Sequence, residues 1–181
     1  MIIVGSPCPL FKADTVFNNQ IITITQEDLR SHYTLFFFYP VDFSFVCPTE
    51  LRALQYYAHE FEKRSVDVVA ISVDSVYTHL AWLRVSPEKG GIEGFKFKLL
   101  SDLPNTLSKA FGVFDPDQGL SNRGTFLMDE NLIVQYGAIN NKTFGRSIPE
   151  ILRVIDAIQF AAIHGVSCPA NWKVGQEGIK E

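Results

Sequence analysis

Apolar positions along the chain recur with two different periods, and the switches between them mark out the elements. From Tyr33 to Tyr39 the run Tyr-Thr-Leu-Phe-Phe-Phe-Tyr is almost unbroken, as in a central strand covered on both faces. Beyond a proline-containing loop, Leu51, Leu54, Ala58 and Phe61 fall at i, i+3, i+7 and i+10, which predicts a helix from about Pro48 to Arg64. Val66–Val73 is rich in β-branched residues and reads as a second buried strand. Ser75–Val85 reads as a helix with Val76, Leu80 and Leu83 on one face. Ser86–Lys98 is polar and contains glycine, as loops do, and Lys98–Leu100 forms a short strand. Leu103–Phe111 is a short helix closed by Gly112. Gly124–Met128 and Ile133–Ile139 flank Asp129-Glu130-Asn131, a hairpin signal. Ser147-Ile148-Pro149-Glu150 is a capping box that opens a helix with Ile151, Leu152, Ile155, Ile158 and Ala162 inward, ending at Gly165.

The N-terminal part predicts a small hairpin, Ala13–Phe17 and Ile21–Thr25, around Asn18-Asn19, because asparagine tolerates the positive φ such turns need. Thr25 with Glu27 and Asp28 suggests an N-cap and an acidic first turn, giving a short helix to about His32. Strands alternating with helices and closed by a hairpin predict an α/β fold with a mixed central sheet flanked by helices. A thioredoxin-like arrangement fits that order. No repeat, linker or low-complexity stretch interrupts the chain, so residues 1–181 read as one domain, with 165–181 as a C-terminal arm.

Composition narrows the function classes. At 181 residues and 46% hydrophobic the chain can bury a substantial core. The net charge of −4, with both signs interspersed, argues against a nucleic-acid partner. No apolar run approaches a membrane span of about 20 residues, and Met1–Pro7 lacks the basic start of a signal peptide. A cytoplasmic protein is the expectation. Three cysteines are too few, and odd in number, for a disulfide framework. No Cys-x-x-Cys spacing occurs, and His32, His59, His79 and His164 are scattered, so no metal or cofactor is expected.

Chemistry concentrates at Cys47. The strand and loop deliver this thiol to the first turn of the predicted helix, where unpaired N–H groups and the helix dipole favour a thiolate. Pro48 suits position N1, where a missing N–H costs nothing. Glu50 stands where a Cys-x-x-Cys motif would have its second cysteine, which excludes a local disulfide. No histidine is evident nearby as a base, which weakens a papain-like reading. Activation would come from the helix terminus and a cation supplied from elsewhere in the chain. Ser44 offers a hydroxyl three residues before the thiol, and Pro40 ends the strand.

The segment Phe38-Tyr39-Pro40-Val41-Asp42-Phe43-Ser44-Phe45-Val46-Cys47-Pro48-Thr49-Glu50 resembles the peroxidatic loop of the peroxiredoxins. Further segments resemble the typical two-cysteine class in the same order. They are His79-Leu-Ala-Trp82, Leu100-Ser-Asp102, Leu107–Val113, Arg123-Gly-Thr-Phe126, Gly145-Arg-Ser147 and Val166–Trp172. The resemblance implies a thioredoxin-like fold whose C-terminal extension carries the resolving cysteine. It implies a thiol peroxidase for hydrogen peroxide and small organic hydroperoxides, in which Cys47 becomes a sulfenic acid and Cys168 closes a disulfide between subunits. It assigns shielding of the sulfur to Pro40, a hydrogen bond to peroxide to Ser44, thiolate and charge stabilisation to Arg123, and orientation of that arginine to Glu50 and Arg146. The partners it implies are a thioredoxin or a flavoprotein disulfide reductase and a second copy of the chain, assembled as a homodimer and a ring of five dimers. Cys8, where the family often has alanine, is read as non-catalytic, and Trp82 as packing.

Two departures bear on regulation. Overoxidation-prone members carry Gly-Gly-Leu-Gly where this chain has Gly90-Gly91-Ile92-Glu93, and a Tyr-Phe pair that is absent from the 13 residues after Cys168. Resistance to sulfinic acid formation is the expectation. It counts against a holdase chaperone role, while Cys168 favours turnover over a pure redox sensor that passes its disulfide to a partner.

Overall fold

The computed structural model describes residues 2–29 and 33–180, so the predicted helix end near His32 lies outside it. The chain divides into two compact units, residues 1–146 and 147–181. No helix among the described residues is long and apolar enough to cross a membrane.

The first unit is built on a seven-stranded mixed sheet in the order β2 (Gln20–Thr25), β1 (Lys12–Phe17), β5 (Lys98–Ser101), β4 (Val66–Ser72), β3 (Tyr33–Phe38), β8 (Arg123–Met128) and β9 (Val134–Asn140). β3 (Tyr33–Phe38) lies at its centre, parallel to β4 (Val66–Ser72) and antiparallel to β8 (Arg123–Met128). The unbroken apolar run explains this place, since Leu35 to Tyr39 are all fully buried. Phe36 and Phe38 point to one face, where they cluster edge-on with Phe111 and Phe126. β5 (Lys98–Ser101) continues the parallel part, and the β1 (Lys12–Phe17) and β2 (Gln20–Thr25) hairpin extends it antiparallel. Asn18 and Asn19 make its turn with φ of 51° and 59°, as their residue type predicts. β9 (Val134–Asn140) closes the other side against β8, with a register shift at Leu127/Met128. The expected thioredoxin-like fold, a mixed sheet flanked by helices, is the fold observed.

The helices of this unit depart from the predicted ones in informative ways. Gln26–Leu29 is a single 3-10 turn. Thr25 does not cap it, because its own N–H and hydroxyl donate to Asp28 Oδ2 at 2.7 and 2.9 Å. The helix expected over 48–64 is two, α1 (Cys47–Tyr56) and α2 (Ala58–Lys63), broken at Tyr57. Cys47 is itself the first helical residue, which places Pro48 at N2. α3 (Val76–Trp82) is capped by Ser75 Oγ and buries Val76 as predicted, but with His79 and Trp82, while Leu80 and Leu83 are half-buried. α4 (Thr106–Ala110) starts late because Asn105 sits at φ 59°, and Asp102 accepts the N–H groups of Leu107 and Ser108. Two further short strands, β6 (Phe114–Asp115) and β7 (Leu120–Ser121), pair as a separate hairpin that the sequence pattern does not reveal.

The second unit is α5 (Ile148–His164) and the segment after it. Ser147 Oγ accepts the Glu150 N–H at 3.4 Å, while the Glu150 carboxylate turns to Arg153. Ile151, Leu152 and Ile155 are buried as predicted, Ile158 is half-buried and Ala162 is exposed. Gly165, at φ 59°, ends the helix. The chain then returns over its own helix. Trp172 stacks on Phe160 at 4.7 Å, and Ser167 and Ile179 exchange backbone hydrogen bonds.

Candidate active site

β3 runs out at Tyr39 and Pro40, both buried, and the loop that follows is pinned at its start. The Tyr39 hydroxyl donates to Asp42 Oδ1 at 2.7 Å, and His79 Nδ1 lies 2.8 Å from Asp42 Oδ2. The Asp42 N–H donates to Asp74 Oδ2, which also receives the Ser72 hydroxyl. Burial pushes the Tyr39 phenol well above its ordinary range, with the Asp42 charge adding to the effect. Burial, and then the charge of Asp42, likewise raises Asp74. These contacts tie the loop to the carboxyl ends of two central strands, the usual place for a site in an α/β sheet. Phe43 turns the chain at φ 55°. Ser44 Oγ donates to the Val41 carbonyl at 3.1 Å. The Val46 carbonyl accepts the N–H groups of Thr49 and Glu50 and so starts α1.

Cys47, fully buried at that first turn, meets the cation that the sequence required from elsewhere. Arg123, the first residue of β8, brings Nη1 to 3.4 Å from Cys47 Sγ and to 2.6 Å from Glu50 Oε2. Its Nε and Nη2 both donate to the Lys142 carbonyl, at 3.1 and 2.8 Å. Glu50 is held in turn by Arg146, whose backbone N–H, Nε and Nη2 reach the same carboxylate. Arg146 Nη1 donates to the Gly124 carbonyl at 2.7 Å, and its Cζ lies over the Phe37 ring, 3.2 Å from the centroid. Burial lowers the Arg146 guanidinium from its ordinary value, and Glu50 opposes that shift.

The side chains of Glu50, Arg123 and Arg146 are all nearly inaccessible to water, so their charges must balance locally. Two guanidinium groups and one carboxylate leave a single positive charge. A thiolate at Cys47 cancels it. The cluster therefore sets a net positive charge beside the sulfur, in addition to the helix terminus.

Four of the seven sequence-designated residues thus come together: Cys47, Glu50, Arg123 and Arg146. Pro40 and Ser44 lie in the loop leading to the thiol. Cys168 belongs to the second unit, where it is half-buried and its thiol donates to the Ala157 carbonyl at 3.4 Å. Sequence reasoning missed Lys142, which acts through a main-chain oxygen that carries no residue signature. It also missed the Asp42–His79 pair, although His79 stands within one of the segments that carried the resemblance.

A thioredoxin-like sheet that presents one buried thiol beside an arginine at a helix start defines a thiol-dependent redox enzyme. The AhpC/TSA family profile matches residues 4–137, and the profile of the C-terminal domain of 1-Cys peroxiredoxin matches residues 157–181. The chloroplastic 2-Cys peroxiredoxin BAS1 of Hordeum vulgare is 41% identical over 179 residues, covering 98% of this chain and 85% of that protein. The thioredoxin peroxidase of Echinococcus granulosus is 40% identical, covering 98% of this chain and 92% of that protein. The crystal structure of reduced Plasmodium vivax 2-Cys peroxiredoxin superposes with a TM-score of 0.94 at 44% identity, covering 97% of this chain and 91% of that one. The chain belongs to the AhpC/TSA family, as one of its 2-Cys peroxiredoxins.

Proposed function

We propose that this enzyme reduces hydrogen peroxide and small organic hydroperoxides and is recycled by a dithiol protein, as an antioxidant defence. The observation that carries this reading is the 3.4 Å contact between Arg123 Nη1 and Cys47 Sγ, with Glu50 fixing the same nitrogen. The Cys47 thiolate attacks one peroxide oxygen in line, the O–O bond breaks, and the departing oxygen takes a proton as alcohol or water. Arg123 faces the sulfur and the charge developing on that leaving oxygen. Ser44, whose hydrogen is engaged by Val41, offers lone pairs to the O–H of the incoming peroxide. Pro40 shields the sulfur from bulk water.

The Cys47 sulfenic acid then condenses with the thiol of Cys168 from a second copy of the chain, releasing water and forming a disulfide. A thioredoxin or a flavoprotein disulfide reductase restores both thiols. The working unit in this reading is a homodimer, five of which close a ring. Three unpaired cysteines and chemistry that begins from a thiolate suit the reducing cytoplasm. Residues 165–181 serve as the arm that carries Cys168.

Replacement of each cysteine tests the scheme. Cys47→Ser abolishes peroxide consumption, whereas Cys168→Ser consumes one equivalent and does not turn over with thioredoxin. Non-reducing electrophoresis after one equivalent of peroxide shows a dimer linked through Cys47 and Cys168. A monomer band throughout, with activity intact, would move the resolving thiol elsewhere.

A further inference from the structure

Arg123 is gripped from two sides, and only one grip is a side chain. Glu50 takes Nη1, and the Lys142 carbonyl takes both Nε and Nη2. That carbonyl belongs to the irregular segment between the end of β9 and Arg146, in which Asn141, Thr143, Phe144 and Gly145 are exposed. The β8–β9 ladder ends at the Arg123–Asn140 pair, so it does not fix Lys142. Local turns from Thr143 back to Asn141 shape the segment without anchoring it to the rest of the unit. Besides the carbonyl that Arg123 grips, Lys142 is anchored through its side chain. Its Nζ forms an ion pair with Asp115 and donates to Gln118 Oε1 at 2.8 Å. Asp115 is itself fixed, because the Asp117 and Gln118 N–H groups both donate to its Oδ1 in the turn of the β6–β7 hairpin.

We propose that Lys142 is a positioning residue: its side chain, clamped on Asp115 and Gln118, holds its own carbonyl where it orients the Arg123 guanidinium towards Cys47. The lysine supplies no charge to the chemistry. It sets the angle of the arginine, with Glu50 as the opposite jaw. The pair is partly exposed, which makes it a minor contributor to global stability and lets its geometric role be read separately. Asp115 ionises below the usual carboxylate range, chiefly through its hydrogen bond from Lys142, so the clamp is closed at neutral pH. The proposal rests on Arg123 acting at Cys47, and the experiment separates the two ideas.

The measurement is the second-order rate of Cys47 oxidation by hydrogen peroxide in a single turnover of the reduced, full-length enzyme. Lys142→Met slows it about tenfold, as expected for a misaimed catalytic group. Lys142→Arg, which keeps the clamp, recovers most of the rate. Asp115→Asn causes the loss seen for Lys142→Met, and the double variant loses no more than either single one. On an Arg123→Ala background Lys142→Met is silent, an outcome that a general structural defect would not give. A wild-type rate for both Lys142→Met and Asp115→Asn, with Arg123→Ala crippled, overturns the clamp and leaves the arginine in place. A wild-type rate for Arg123→Ala overturns the reading beneath it. If Lys142→Met does not fold, as judged by circular dichroism, Asp115→Asn decides alone.

Discussion

Arg146 and Glu50 are locked together by three hydrogen bonds, from the arginine's backbone N–H and Nε to Oε1 at 2.9 Å each and from Nη2 to Oε2 at 3.0 Å. With Arg123 also on Oε2, four donors occupy one buried carboxylate, which its lone pairs can just accommodate. Ninety-six residues separate the partners in sequence. The contact ties the start of α1, and hence the thiol it carries, to the segment that follows β9.

Removing the central charge should therefore be costly. Glu50→Gln keeps the shape and leaves two guanidinium groups facing an amide, so a stability loss of about 3–5 kcal/mol is expected for breaking a buried ion pair. Urea unfolding measures it, and single-turnover oxidation should slow in parallel. An unchanged urea midpoint would show that the carboxylate is not the keystone of the cluster.

Arg123 has a different signature. Arg123→Met leaves Glu50 paired with Arg146, so the fold survives with a smaller loss of stability. Oxidation of Cys47 by peroxide should fall about 10²–10³-fold, the usual effect of losing a preorganised donor at a developing charge. Stopped-flow mixing with hydrogen peroxide gives the rate directly, and a loss of less than threefold would contradict the role.

Cys8 should be chemically silent. It is almost fully buried, and burial pushes its thiol from 9.0 up to about 12. Iodoacetamide at pH 8 should leave Cys8 unlabelled in the native protein and label it after denaturation, as read by peptide mass. The same shift has a stability consequence. A proton held more tightly in the folded state stabilises fully below about pH 9 and is lost as pH rises towards about 12. Tyr39, raised by burial from 10.0, acts in the same direction. Thermal unfolding followed through that range should show a falling midpoint, shallower in Cys8→Ala.

Resistance to overoxidation is the fourth expectation. Gly90 accepts the Trp82 indole N–H through its carbonyl, Gly91 lies too close to the Val85 backbone for any side chain, and Ile92 is buried. These three residues form a fixed turn against α3. The position that completes the overoxidation motif in prone relatives is an exposed Glu93. Titration with a large excess of peroxide should yield little sulfinate by intact mass, and inactivation within a few turnovers would refute the expectation.

Much of this was legible in the sequence because burial writes itself into residue type. The run through β3, the asparagine turn of the first hairpin and the capped α5 were all visible for that reason. The thiol at a helix start was legible too, since position and residue type suffice there. What escaped depends on pairing rather than on type. His79 faces the interior because Asp42 receives it, so an ionisable residue joins Val76 on the buried side of α3 where Leu80 and Leu83 were expected. The β6–β7 pair is two residues long on each strand, too short for any periodicity. Lys142 works through its carbonyl, which all residues share.

The buried charge count has a further meaning once the sulfur has reacted. A sulfenic acid is neutral, so oxidation removes the negative charge that two guanidinium groups and one carboxylate had left room for. The cluster is then one charge out of balance in a nearly dry setting, and the cheapest relief is water. Oxidation of Cys47 is therefore expected to weaken the closed cluster, and hydrogen exchange at the first N–H groups of α1 should quicken when the sulfur is oxidised.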